Sequence, residues 1–150
     1  MILPIELVCS LTAMFLAQFL KIPILFLMTK KWDPRVFFST GGMPSSHAAM
    51  VWGLTTAVAF TQGMDSTIFA VSCVFSTIIS YDAMGVRRQA GFHAEAINKI
   101  IEDFKYVFTD KEAEYNKRFK VLLGHKPQEV FMGTLLGIAT SLVVFLYVLN

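Results

Sequence analysis

Four long apolar runs, separated by polar stretches, constrain this chain more than any other feature. They cover about residues 4–28, 44–61, 66–82 and 130–149. A helix crosses a bilayer core with about 20 apolar residues, and in lipid its backbone N–H and C=O groups must pair within the segment. The runs therefore predict an all-α integral-membrane helix bundle with about four transmembrane spans. Composition agrees: of 150 residues, 55% are hydrophobic and 16% charged, whereas soluble domains carry about 25% charged residues. One membrane-embedded domain over residues 1–150 suits this length.

Several classes fall away early. A net charge of +2 gives no ground for a nucleic-acid partner. Cys9 and Cys73 lie inside apolar runs and read as small buried hydrophobes. No cysteine spacing suits a metal. No basic residue precedes the first run, and the first lysine is Lys21, so the run reads as a retained span.

The polar stretches differ in kind. Glu6 stands near one end of the first run, and Gln18 and Lys21 towards the other, with Pro23 beyond as a kink or an end. Two readings of Lys21 stay open: it snorkels to the interface, or it points into a polar pocket between helices. Residues 29–43 form a basic loop whose Trp32, Phe37 and Phe38 suit the membrane interface. In the stretch from Asp82 to Asn98, helical spacing puts Arg87, Gly91, Ala94 and Asn98 on one face. A helix packed on the bundle, with at least one arginine turned inward, is expected there. Residues 99–123 read as a soluble arm of one or two amphipathic or interfacial helices, to which no chemistry is assigned. Gly133 and Gly137 make a G-x-x-x-G packing face in the last run.

Counting spans puts both termini on one side. The other side receives the basic loop and the segment from Asp82 to Gln128, and so gathers Lys21, His47, Arg87, Arg88 and His125 at one membrane face. The positive-inside tendency makes that face cytoplasmic, in what reads as a bacterial inner membrane. Basic residues kept for a phosphate site would mimic the same bias, so orientation stays open, as does a homo-oligomeric state.

Chemistry concentrates in Ser39-Thr-Gly-Gly-Met-Pro-Ser-Ser-His47. Gly41 and Gly42 let backbone approach a ligand or take positive φ. Pro44 suits a first helical turn that would also hold Ser45, Ser46 and His47. A helix start offers free N–H groups and partial positive charge to an anion. The plain alternative is a turn with a serine cap. At the last run, His125 and Glu129 are spaced i, i+4, and Pro127 suits another helix start. A carboxylate on one imidazole nitrogen fixes the tautomer and supports charge that develops during attack. With His125 as nucleophile, His47 would be the acid for the leaving oxygen.

Pro44-Ser-Ser-His47 and His125-x-x-x-Glu129-Val-x-x-Gly133, with Leu136-Gly137, resemble the second and third signatures of the type 2 phosphatidic acid phosphatase/vanadium haloperoxidase superfamily. More closely, Ser39 to His47, Tyr81-Asp-x-x-Gly-Val-Arg-Arg88-x-Ala-Gly91 and Leu123-Gly-His-Lys-Pro-x-Glu-Val130 resemble its small divergent branch of membrane proteins. The likeness spans nearly the whole chain. It implies His47 as leaving-group acid, Ser45 and Ser46 as phosphate ligands, and His125 as a nucleophile that forms a phosphohistidine. Glu129 would be its carboxylate partner, and no metal or other cofactor is implied. The sequence departs from the superfamily in three places. Glu129 stands where Asp is expected. Phe119, between Arg118 and Lys120, stands where the superfamily has Ser-Arg. The first signature is absent as such. Arg87 or Arg88, together with Lys21, would supply the missing cations, and Gly42 the close backbone approach. The branch often has Gln where His93 stands, so His93 reads as a rim or structural residue.

The leading expectation is an integral-membrane phosphatase acting on a lipid phosphate or diphosphate: phosphatidylglycerol phosphate, phosphatidic acid or a polyprenyl diphosphate. Its partners would be that lipid and the bilayer. The alternative is a non-catalytic membrane protein that binds lipid phosphate or assists membrane assembly. A metal site of His47, His125 and Asp82 is a third reading that no motif spacing supports.

Overall fold

The computed structural model describes residues 3–30, 32–39, 41–104 and 124–148, with the side chains of Arg87, Phe104 and Val148 excepted. Among these, regular structure is entirely helical. In order they form α1 (Ile5–Thr29), a 3₁₀ turn (Pro34–Phe38), α2 (Ser46–Gln62), α3 (Thr67–Met84), α4 (Val86–Phe104) and α5 (Pro127–Val148). The four apolar runs are thus α1, α2, α3 and α5, and the protein is an all-α membrane bundle. Among the described residues, three helices are long and apolar enough to cross a membrane: α1, the one beginning at Thr67, and α5. α2 is shorter, at 17 residues, and occupies the middle, touching α1, α3 and α5.

α2 can be central because its surface is nearly smooth. Ala48, Ala49, Gly53 and Ala57 are buried along it. They meet Cys9, Ala13 and Ala17 of α1 and the glycines of α5. Lipid tails give helices no hydrophobic reason to associate, so close backbone approach and interhelical hydrogen bonds carry the packing. The G-x-x-x-G pair shows this. A Cβ on Gly133 would fall against the carbonyl oxygen of Ser45, and one on Gly137 against that of Ala49.

Hydroxyls then stitch α2 to each neighbour. Ser10 donates to Met50 O (3.0 Å) and Ser141 to Gly53 O (2.8 Å). The Thr55 and Ser76 hydroxyls are 2.8 Å apart, and Trp52 Nε1 donates to Ser80 Oγ at 3.1 Å. Each such bond contributes about 0.6 kcal/mol in a bilayer, rarely beyond ~1.7.

One of the two readings of Pro23, a helix end, is overturned: α1 runs through it to Thr29, as the span to residue 28 implies, and closes at Lys30 in a left-handed conformation (φ 57°). A second expectation needs correction. Pro44 lies outside α2 rather than in its first turn. Ser45 is extended and caps the helix by accepting the Ala48 N–H, so helical residues begin at Ser46. Past Asp82, α3 continues to Met84 and breaks at Gly85, and α4 then carries the Arg-Arg segment through to Phe104 in one helix. The face expected to turn inward is the more covered one: Gly91 is buried and Ala94 and Asn98 half-buried. Among the described residues, α4 touches α3 and no other helix. Residues 105–123, most of the expected arm, lie outside the described residues.

Candidate active site

The mouth of α5 gathers a connected set of polar contacts among the described residues. Pro127 opens the helix, as its fixed φ and missing N–H favour. Glu129 is the third helical residue. Its Oε2 turns back to accept the Lys126 backbone N–H at 3.1 Å, one half of a capping box. The same oxygen lies 3.0 Å from Nδ1 of His125, which is 3% exposed. The extra methylene of Glu relative to Asp therefore does not prevent contact with the imidazole. A backbone donor fixes the carboxylate, and the carboxylate in turn fixes the ring. With Glu129 ionised, Nδ1 carries the proton and Nε2 the lone pair.

Backbone hydrogen bonds hold this mouth against two other helix ends. His125 N–H donates to Ala83 O in the last turn of α3 (3.1 Å). Ser45 N–H, at the cap of α2, donates to Glu129 O (2.9 Å). Beneath them Ala48, Ala83 and Val130 form a small core, with Trp52 and Met84 packed on it. The C-terminal end of α3 and the N-terminal ends of α2 and α5 thus close on one another.

Ser45 and Ser46 are both buried at the start of α2. His47 follows in the first turn, half-buried. Ser45, Ala48, Ala49 and Gly53 are the α2 positions that touch α5. His47 is on the same turn but one step outside that stripe.

Lys21 resolves in favour of the inward reading. It is 1% exposed, and its ammonium donates to Ser39 O at 3.0 Å. α1 therefore reaches the same end of the bundle through a cation, and it pins the loop that leads into Gly41 and Gly42. Gly42 is exposed with φ +89°, and a Cβ there would meet nothing within 4 Å. Its glycine is required by the dihedral, not by space.

The arginines stand apart. Arg88 stacks its guanidinium over Phe92, 5.4 Å from the ring centroid. Arg87 is in the first turn of α4, and its side chain lies outside the described residues. No described contact joins Arg88 to His125. Among the described residues, no group of three His, Cys, Asp or Glu is placed to hold a metal ion.

Three participants escaped the sequence reading: the carbonyls of Ser39 and Ala83, and the N–H of Lys126. Only the Lys126 contact had a signal, in the three-residue spacing from a helix cap to Glu129.

A bundle of membrane-crossing helices closed at one end by a polar mouth is the class of protein these observations define. The chain belongs to the Divergent PAP2 family, whose sequence profile matches residues 5–140. It is 48% identical over 145 residues to the uncharacterized membrane protein YuiD of Bacillus subtilis (strain 168), with 92% of each chain covered. No solved structure matches it. The resemblance carried by the Ser39–His47, Tyr81–Gly91 and Leu123–Val130 motifs is thus borne out as membership of a PAP2-like membrane protein family.

Proposed function

We propose that this protein is an integral-membrane phosphatase that removes phosphate from a lipid phosphate or diphosphate. The observation that carries the reading is the 3.0 Å contact between His125 Nδ1 and Glu129 Oε2 at a buried helix mouth. Nε2 of His125 attacks phosphorus, and the bond from phosphorus to the lipid oxygen breaks. His47 gives that oxygen its proton. Glu129 stabilises the imidazolium character that develops as the phosphohistidine forms. Water then attacks phosphorus as His47 takes up a proton from it, the P–Nε2 bond breaks with its electron pair returning to His125, and inorganic phosphate leaves. Lys21, the hydroxyls and N–H groups of Ser45 and Ser46, and the backbone at Gly42 hold the phosphoryl oxygens. Arg87 or Arg88 adds a cation from α4.

The whole chain acts as one membrane-embedded unit in a bacterial inner membrane, with this mouth on the cytoplasmic face. Its substrate is of the phosphatidylglycerol phosphate, phosphatidic acid or polyprenyl diphosphate class. Phosphate release from these lipids in detergent micelles, with His125→Ala as blank, tests the reading. Release by the wild type that disappears in the blank is expected. Release that persists in His125→Ala would remove His125 from the chemistry. Binding of lipid phosphate without turnover would favour a non-catalytic role.

A further inference from the structure

Two groups on α1 are left with hydrogen-bonding capacity that the described residues do not use. The Lys21 ammonium has three donors in a site only 1% exposed, and it makes one hydrogen bond there, to Ser39 O. Gln18 Oε1 is buried and accepts no hydrogen bond among the described residues. Buried polar atoms are almost always paired, so an unpaired carbonyl oxygen calls for a donor. The two residues are spaced i, i+3, which places their Cβ atoms about 5–6 Å apart on one side of the helix.

Depth orders them. The C-terminal part of α1 reaches the polar end of the bundle, where Lys21 holds the Ser39 loop that leads into α2. Gln18, three residues earlier, is about 4.5 Å further along the axis towards the bilayer interior. A lipid whose phosphate is held at Lys21 has its tails on that inner side. The group that meets Gln18 is therefore on the tail side of the phosphate. It must be a donor, since a carbonyl oxygen only accepts.

We infer that Gln18 and Lys21 together select a lipid phosphomonoester with a free hydroxyl on the tail side of its phosphate. A glycerol phosphate head group offers that hydroxyl on the carbon next to the phosphate-bearing one. Phosphatidic acid offers only ester oxygens there, and a polyprenyl diphosphate only hydrocarbon. Gln18 is then a specificity residue. This inference rests on the phosphatase reading above for its chemistry, though not for the binding preference.

The test compares phosphatidylglycerol phosphate with its deoxy analogue, in which propanediol replaces the head-group glycerol. Phosphate release is measured for the wild type and for Gln18→Met, which keeps side-chain length and loses the acceptor. The wild type should favour the hydroxylated lipid in kcat/KM by about tenfold or more, since a site built to pair a hydroxyl discriminates against its absence. In Gln18→Met the ratio should fall to about one. A ratio near one in the wild type, or a ratio unchanged in Gln18→Met, overturns the inference. Because the readout is a ratio, partial loss of folded protein does not mimic it.

Binding is read separately from Trp52 fluorescence, in a protein carrying Trp32→Phe and His125→Ala, because Trp52 packs on the core beneath the mouth. A hydroxyl preference in Kd that Gln18→Met abolishes, in a wild type that turns over neither lipid, supports the inference and sinks the phosphatase reading. Absence of both turnover and preference sinks both.

Discussion

One carboxylate oxygen, Oε2 of Glu129, serves both the backbone of Lys126 at 3.1 Å and the imidazole of His125 at 3.0 Å. The first contact starts a helix and the second orients a ring. Substitutions can separate these duties. Glu129→Gln keeps an acceptor for the N–H and loses the charge. Its kcat for phosphate release should fall on the order of 10²–10⁴-fold, the range set by orienting carboxylates elsewhere, with little change in thermal stability. Glu129→Ala should lose the same activity and also about 1 kcal/mol of stability with the cap contact. Equal activity in Glu129→Gln and the wild type would leave only the cap.

His47 and His125 should differ in their response to the leaving group. A substrate that departs as a stable phenolate needs no acid. With p-nitrophenyl phosphate, His47→Ala should recover most of the wild-type rate, whereas His125→Ala stays inactive. Rapid quenching should trap phosphohistidine in the wild type and none in His125→Ala. Recovery by both variants, or by neither, contradicts the division of roles.

Lys21 is buried, and among the described residues its one hydrogen bond goes to the carbonyl of Ser39. A side chain kept for folding would not be built this way, because a buried charge is expensive in lipid. Lys21→Met should therefore leave the melting temperature unchanged or raised, while phosphate release drops by about a hundredfold or more. A marked loss of stability in Lys21→Met would instead make the Lys21–Ser39 contact a structural one.

Gly133→Ala and Gly137→Ala should each destabilise the detergent-solubilised protein by about 1–3 kcal/mol, because the new methyl meets a backbone carbonyl that cannot rotate aside. Gly53→Ala should be milder. Its Cβ would come to 3.2 Å from the Ala13 methyl and 3.4 Å from the Ser141 hydroxyl, both side-chain atoms. Thermal unfolding of the three variants gives the ranking directly.

The spans were legible because lipid imposes one rule on every residue of a run. Each helix boundary in α1, α2, α3 and α5 falls within three residues of the run that suggested it. The His125–Glu129 pair was legible because it is local, four residues apart on one helix. The contacts that assemble the mouth were not. Ser45 meets Glu129, and His125 meets Ala83, through backbone atoms that leave no mark on residue type. Lys21 shows the limit most clearly: its burial follows from where the Ser39 loop folds back, and no pattern within α1 fixes that. Pro44 was misplaced for a related reason, since the Ser45 side chain took the capping position that a proline at a helix start leaves ambiguous.

The short central helix has a mechanical consequence. At 17 residues, α2 is about 26 Å long, against a hydrocarbon layer of about 30 Å. Its longer neighbours α1 and α5 face the lipid and set the outer thickness, so the bundle is thinnest at its centre and headgroups can reach in towards the start of α2. A lipid would then meet the two histidines without leaving its leaflet, and turnover should slow in bilayers made from longer acyl chains.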